Sequence, residues 1–184
     1  MPENEKVLLV INSSYRKSGA TTKCLNSRAK KIMEIEGITV CKSRAIPDDL
    51  VGCRHCGKCL PRCAFAADDG FHLLLGELEK ATHVLIGTPV YLDFPSPKLL
   101  AFLSRLTCMA ESTERKFFAG KKVYLHANGY VSGTKAAIGV LLNACEMLGF
   151  DIPGRSTSEY IEKWSDKKVR GGMNQREACF IEEE

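Results

Sequence analysis

VLLVINSSYRKSGATT, residues 7–22, decides the fold class. Val7 to Ile11 are apolar without a break. A strand with one wet face would alternate, so this run reads as a strand buried on both faces, the habit of a parallel sheet covered by helices. A polar loop follows. A helix is then predicted over 22–36, with Leu25, Ala29, Ile32 and Met33 on one face. The same strand–loop–helix order recurs along the chain. GITVCKS (37–43) is a second, weaker strand, and HVLIGTP (83–89) is a third. KKVYLHANG (121–129) is a fourth, and DIPGRSTS (151–158) is a short fifth. Between them, DDGFHLLLGELEKA reads as a helix with acids at its positive end. SPKLLAFLSRL reads as a helix with Pro97 in its first turn. GTKAAIGVLLNACEMLGF reads as a helix closed by Gly149. This alternation predicts an α/β doubly wound parallel sheet covered by helices on both faces, in three α/β/α layers.

The 184 residues suit one domain, with 45% hydrophobic and 26% charged residues and a formal net charge of +4. The cations are scattered and form no stripe, so nucleic acid is not expected as a partner. The apolar run near the N-terminus is too short for a secretion signal or a membrane span. We therefore expect a cytoplasmic protein without membrane contact, and its nine cysteines are not expected to form disulfides. Cys24, Cys41, Cys108, Cys145 and Cys179 are dispersed and read as small buried hydrophobes.

In a doubly wound sheet, ligands sit beyond the carboxyl ends of the strands where strand order reverses. The loop at that point holds Ser13, Ser14, Tyr15, Arg16, Lys17, Ser18, Gly19, Ala20, Thr21 and Thr22. It is neither G-x-G-x-x-G nor G-x-x-x-x-G-K-[ST], which argues against a dinucleotide pyrophosphate or a nucleoside triphosphate. Hydroxyls, one arginine and a helix N-terminus suit a terminal monophosphate such as that of FMN. The same residues also fit an ordinary loop whose helix is capped by Thr21 or Thr22. TPVYLDFPSPK (88–98) places Pro89, Val90, Tyr91 and Ser96 at the end of the third strand, where apolar and aromatic groups can pack on a flavin ring. The alternative is packing into the core or a subunit interface. Asn128 and Gly129, after the fourth strand, lie on the same edge, and Gly129 would let backbone approach a flat ligand.

CRHCGKCLPRC (53–63) sets four cysteines at C-x2-C-x2-C-x3-C. Cys53, Cys56, Cys59 and Cys63 match a spacing used for iron–sulfur clusters. Structural zinc more often draws two separated C-x2-C pairs. Arg54, Lys58 and Arg62 would also lower thiol pKa values, so reactive thiols are a third reading. His55 lies between two cysteines and is read as solvent-facing. His72, His83, His126 and Trp164 are read as packing or surface residues. No Ser-His-Asp set or carboxylate pair is placed for hydrolysis.

Taken together, the motifs over residues 6–150 resemble the flavodoxin-like NAD(P)H-dependent FMN reductase superfamily, and with the cysteine run they are similar to its iron–sulfur flavoproteins. The family's G-S-P-R-K-x-S-x-T loop is matched by Ser13–Thr21, with Ser13 for the first Gly and Tyr15 for the Pro. Its T-P-V-Y loop is matched by Thr88–Tyr91, and the S-x-x-x-K that follows it has Ser96 and Lys98 as counterparts at the shorter spacing S-x-K. Its compact cysteine motif precedes an acidic pair, here Asp68 and Asp69. Its Asp-Arg pair is Ser104–Arg105 here, and its last cysteine gap is usually longer. The resemblance implies a flavodoxin-like sheet of strand order 2-1-3-4-5, an FMN-binding domain over 1–164 with the cysteine loop at 53–63, and a tail or oligomer-contact segment over 165–184. It implies an FMN-dependent electron-transfer oxidoreductase with a [4Fe–4S] cluster on Cys53, Cys56, Cys59 and Cys63, with Cys41 or a neighbouring group as an alternative fourth ligand. A ferredoxin-like carrier or a small redox substrate, and a homodimer or homotetramer, follow from it. The runner-up is an NAD(P)H-dependent flavin, quinone or metal-ion reductase without a cluster, and the third reading is a zinc-stabilised FMN-binding module.

Overall fold

The structure, a computed structural model, describes residues 5–57, 63, 69–112, 118–130, 132–154 and 156–161. The first strand, β1 (Val7–Asn12), is buried along its whole length. Leu8 and Val10 enter one core and Leu9 and Ile11 the other, so the unbroken apolar run serves both faces of the sheet. Helix α1 (Ala20–Glu36) covers one face with Leu25, Ala29 and Ile32. It ends at Gly37, whose positive φ of 63° brings its N–H back to Met33 O. β2 (Val40–Ala45) pairs parallel with β1. Helix α2 (Phe71–Lys80), β3 (His83–Tyr91), a two-residue strand β4 (Phe94–Pro95) and helix α3 (Pro97–Ser112) follow. The chain continues as β5 (Lys122–Gly129), α4 (Thr134–Met147) and β6 (Thr157–Ile161). Helices α2, α3 and α4 contribute to the larger core on the face opposite α1.

The sheet order is β2-β1-β3-β5-β6, with β4 paired antiparallel to β3 outside that path. Setting β4 aside, this is the expected 2-1-3-4-5 order of the flavodoxin-like fold. β2 lies two to three residues later than its motif suggested, because Gly37 and Ile38 close α1. The fifth strand is Thr157–Ile161, so most of the expected segment 151–158 leads up to it, with a bridge at Asp151 to Lys122. The β3–β4 hairpin was not expected. Its turn residues Leu92 and Asp93 have φ of 50° and 66°, the positive-φ pair that suits the twist of a two-residue hairpin. The sequence carries no Asn-Gly or Asp-Gly there to announce it.

Among the described residues no helix is long and apolar enough to cross a membrane. Cys24 and Cys145 are buried as expected, whereas Cys41 is exposed on β2. The tail 165–184, Trp164 and Cys179 lie outside the described residues.

Candidate functional site

Register fixes the site. Asn12 stands beside Gly87, and Pro89 beside Asn128, so the ends of β1, β3 and β5 are neighbours and their three loops share one edge. Asn12, the last residue of β1, shapes the first loop. Its Oδ1 accepts the Ser14 N–H and its Nδ2 donates to Thr22 Oγ1, both at 2.9 Å. This side-chain turn ties the loop's entry to the first turn of α1. The Ser14 hydroxyl in turn accepts the Arg16 N–H at 3.1 Å. Ser13 points elsewhere: its hydroxyl donates to Gly87 O at 2.9 Å and is buried in the sheet. Ser14 is buried, Thr21 is buried under the loop, and Arg16 and Ser18 are exposed.

The N-terminus of α1 has no side-chain cap and no acid in its first turn. The positive end of a 17-residue helix therefore faces a loop of hydroxyls and cations. A side chain at Gly19 would stand 3.3 Å from Arg16 Cβ and 3.5 Å from its Nε, so Arg16 lies across the helix entrance. The capping role considered for Thr21 and Thr22 is thus not taken up at this helix.

The second loop is braced at Thr88. Its hydroxyl donates to Pro89 O at 2.9 Å and accepts the Ser96 N–H at 2.8 Å, closing the hairpin base. Ser96 itself is fully buried, and its hydroxyl has no hydrogen-bond partner among the described residues. Pro89 and Val90 are half-buried, while Tyr91 is exposed and meets Tyr15 edge-on, ring centroids 6.4 Å apart. Leu92 at the tip is 94% exposed.

In the third loop, the Asn128 amide turns under α1 and lies 4.0 Å from Cys24 Sγ. Burial pushes the Cys24 thiol up, against the smaller opposing effect of that amide. A Cβ at Gly129 would meet Ser132 O and Thr134 Cγ2 at 2.8 Å, so the missing side chain makes room for the chain's own turn into α4.

Three residues that the sequence reading left out of the site prove central. Asn12 carries a detectable signal, an Asn at a strand end followed by two serines. Lys98 carries another, a cation in a helix's first turn, where the dipole disfavours it. Arg105 is fully buried and paired with buried Asp69, and its guanidinium lies 3.8 Å from the Phe71 ring centroid. Asp69 also accepts the N–H groups of Val51 and Phe71, so it joins the two ends of the cysteine segment. Ser104 Oγ accepts the Cys53 N–H at 3.0 Å.

Of the four cysteines, Cys53 and Cys56 are exposed, Cys63 is buried in the larger core, and Cys59 lies outside the described residues. Among the described residues no three Cys, His, Asp or Glu side chains gather as a metal site. Cys41, beside Leu8 on β2, is at the opposite end of that strand from the cysteine segment.

The comparisons agree with this architecture. Residues 7–159 match the family model described as NADPH-dependent FMN reductase. No curated protein matches the chain. Among solved structures, RosB with bound 8-demethyl-8-formylriboflavin-5'-phosphate is 22% identical over 85% of this chain and 65% of its own length, with a TM-score of 0.63. An NADH:FMN oxidoreductase is 17% identical over 85% of this chain and 74% of its own (TM-score 0.56). An azoreductase from Bacillus anthracis is 11% identical over 85% and 87% (TM-score 0.63). At these identities the likeness is one of fold, whereas the family match covers most of the chain. The chain therefore belongs to the NADPH-dependent FMN reductase family, and its class is that of a flavin-dependent oxidoreductase.

Proposed function

We propose that this protein binds FMN at the shared loop edge and oxidises NAD(P)H. The uncapped, acid-free N-terminus of α1 beneath Ser14, Arg16 and Ser18 carries the proposal. These groups, with the Thr21 and Thr22 hydroxyls, would hold the phosphate: N–H and O–H donors face its oxygens while Arg16 and the helix dipole favour its charge. Pro89, Val90 and Tyr91, with Tyr15 opposite, would flank the ring. Ser13 and Asn128 serve as scaffold, since their polar groups are engaged within the sheet and under α1. When bound, the flavin supplies the capacity to take two electrons from NAD(P)H and pass them on. The protein's own part is to bind, orient and cover that group. Arg16→Ala should weaken FMN binding roughly 10- to 100-fold, the range of a lost charge-assisted hydrogen bond. Flavin fluorescence titration checks this. Wild-type affinity in the variant would remove Arg16 from the phosphate site, and a wild-type chain that binds no FMN would end the reading.

A second reading adds a [4Fe–4S] cluster on Cys53, Cys56, Cys59 and Cys63, making the chain an iron–sulfur flavoprotein fed by a ferredoxin-like carrier. Besides the spacing, one local feature favours it. Cys53 Sγ accepts the His55 N–H at 3.3 Å, and positive φ at His55 (50°) and Gly57 (70°) curls the backbone around that sulfur. N–H bonds to sulfur support thiolate ligation. Cys53 and Cys56, both exposed, would serve as one ligand pair, while Cys63 is packed in the core, so no step is routed through a cluster. An oligomer belongs to this reading, and the exposed Tyr91, Leu92 and Phe94 are one apolar surface that a second subunit would cover. Oxygen-free purification with iron, sulfide, zinc and flavin analysis separates the cases. Iron and sulfide in equal amount with FMN support the cluster, FMN without metal supports the simple reductase, and zinc without turnover supports a structural module.

A further inference from the structure

Lys98 is the second residue of α3 and only 3% exposed. A cation at a helix's positive end is unfavourable unless acceptors compensate it. Here they do. Its ammonium donates to Ser14 O at 3.1 Å, to Ile46 O at 2.9 Å and to Asp48 Oδ1 at 2.6 Å, matching its three N–H donors. It also lies 4.4 Å from the centroid of the Tyr15 ring. Two of these four contacts, Ser14 and Tyr15, are with the loop assigned to the phosphate.

We propose that Lys98 is the positioning residue of the phosphate site and, with Asp48, sets its preference for a phosphorylated flavin over a neutral one. The inference rests on the FMN reading above. The carbonyl and N–H of a trans peptide point in opposite directions. Holding the Ser14 carbonyl on the buried ammonium therefore fixes the Tyr15 N–H on the side away from it. The same contact fixes the backbone that carries the Ser14 hydroxyl, and the ammonium under the Tyr15 ring restrains that ring. Lys98 also places a full positive charge beneath the loop, where a phosphate would feel it at little screening. Asp48 partly offsets that charge. Its carboxylate is 69% exposed, so it is held by Lys98 on one side and by water on the other. The pair gives the site a charge balance that one substitution raises and another lowers.

Riboflavin is FMN without its phosphate, which makes the test direct. FMN and riboflavin affinities are measured by fluorescence titration for the wild type, Lys98→Met, Lys98→Arg and Asp48→Asn. Lys98→Met should weaken FMN about tenfold or more and leave riboflavin nearly unchanged. Lys98→Arg keeps the charge and should retain most of the preference, whereas a purely space-filling role would make Arg at least as damaging as Met. Asp48→Asn should tighten FMN about two- to fivefold, with no effect on riboflavin. This last variant changes an exposed carboxylate and decides by sign even if Lys98→Met does not fold. The proposal is overturned if Lys98→Met keeps wild-type FMN affinity, if it loses both flavins by the same factor, or if Asp48→Asn weakens FMN. A wild type that binds riboflavin as tightly as FMN overturns it as well. A wild type that binds neither flavin instead overturns the FMN reading beneath it.

Discussion

Asp69→Ala should cost the fold about 3–5 kcal/mol and release the cysteine segment from its base. Arg105 is 0% exposed, and Asp69 is its buried counter-charge. Removing one member of such a pair leaves the other without its counter-charge in a medium that solvates it poorly, which is why single truncations are expensive. Asp69 also accepts the Val51 and Phe71 N–H groups, so alanine orphans two backbone donors as well. Urea unfolding measures the loss. In the cycle with Arg105→Met, the double variant should lose clearly less than the two single losses combined, because a methionine on the Phe71 ring is no longer a buried charge. Thiol labelling reports the local consequence. Cys63, packed with the core that holds Leu50 and Phe71, should become reactive in Asp69→Ala under native conditions. A variant within 1 kcal/mol of wild type (about a fivefold change in the folding equilibrium) with Cys63 still shielded would show that the pair does not hold the segment.

The second large effect is loss of stability in mild acid through His126. This side chain is buried on β5. Its Nδ1 is 2.8 Å from Ser158 Oγ, and its Nε2 has no hydrogen-bond partner among the described residues. Burial, and secondarily the Arg28 cation, lower its pKa to about 4, against a smaller raising effect of Ser158. The unfolded chain takes up a proton at this histidine as pH falls through about 6.5, whereas the native state stays neutral until about 4. The native state is therefore penalised progressively across that window, by roughly 3 kcal/mol once pH is below it. Glu36 extends the loss to lower pH. Hydrogen bonds from Lys122 and Tyr124 hold its carboxyl at about 2, so its contribution is present above about 4.5 and fades as pH falls toward 2. His126→Gln removes a titrating group but keeps an amide to pair with Ser158. Urea midpoints at pH 7 and pH 4.5 should lie much closer together in this variant than in wild type. An unchanged gap would assign the acid sensitivity to other groups.

Much of the fold was legible because it depends on local pattern. Val7–Ile11 shows by its lack of alternation that both faces of β1 are covered. Pro97 marks the start of α3, and Gly149, at positive φ, follows the end of α4. The hairpin at Leu92–Asp93 was not legible, since a leucine at positive φ has no local preference for it. The loops of the candidate site were found by their place after β1, β3 and β5. What individual residues do there was harder to read. Ser13 and Ser14 are adjacent and chemically identical, yet one hydroxyl is spent on Gly87 and the other stays in the loop. Gly129 suggested access for a ligand, and only the packed structure shows that its missing side chain also accommodates Ser132 and Thr134.

By itself the sequence determined the parallel sheet and the edge at which chemistry is to be sought, because hydrophobic period and turn residues act over a few neighbours. Only the tertiary structure decided that Lys98 reaches Ser14, that Arg105 and Asp69 close the cysteine segment, and that Cys63 lies in the core while Cys53 and Cys56 face water. Those contacts join residues 18 to 84 positions apart in the chain. A buried charge takes whichever partner the packed helices bring to it, and no local pattern records that choice.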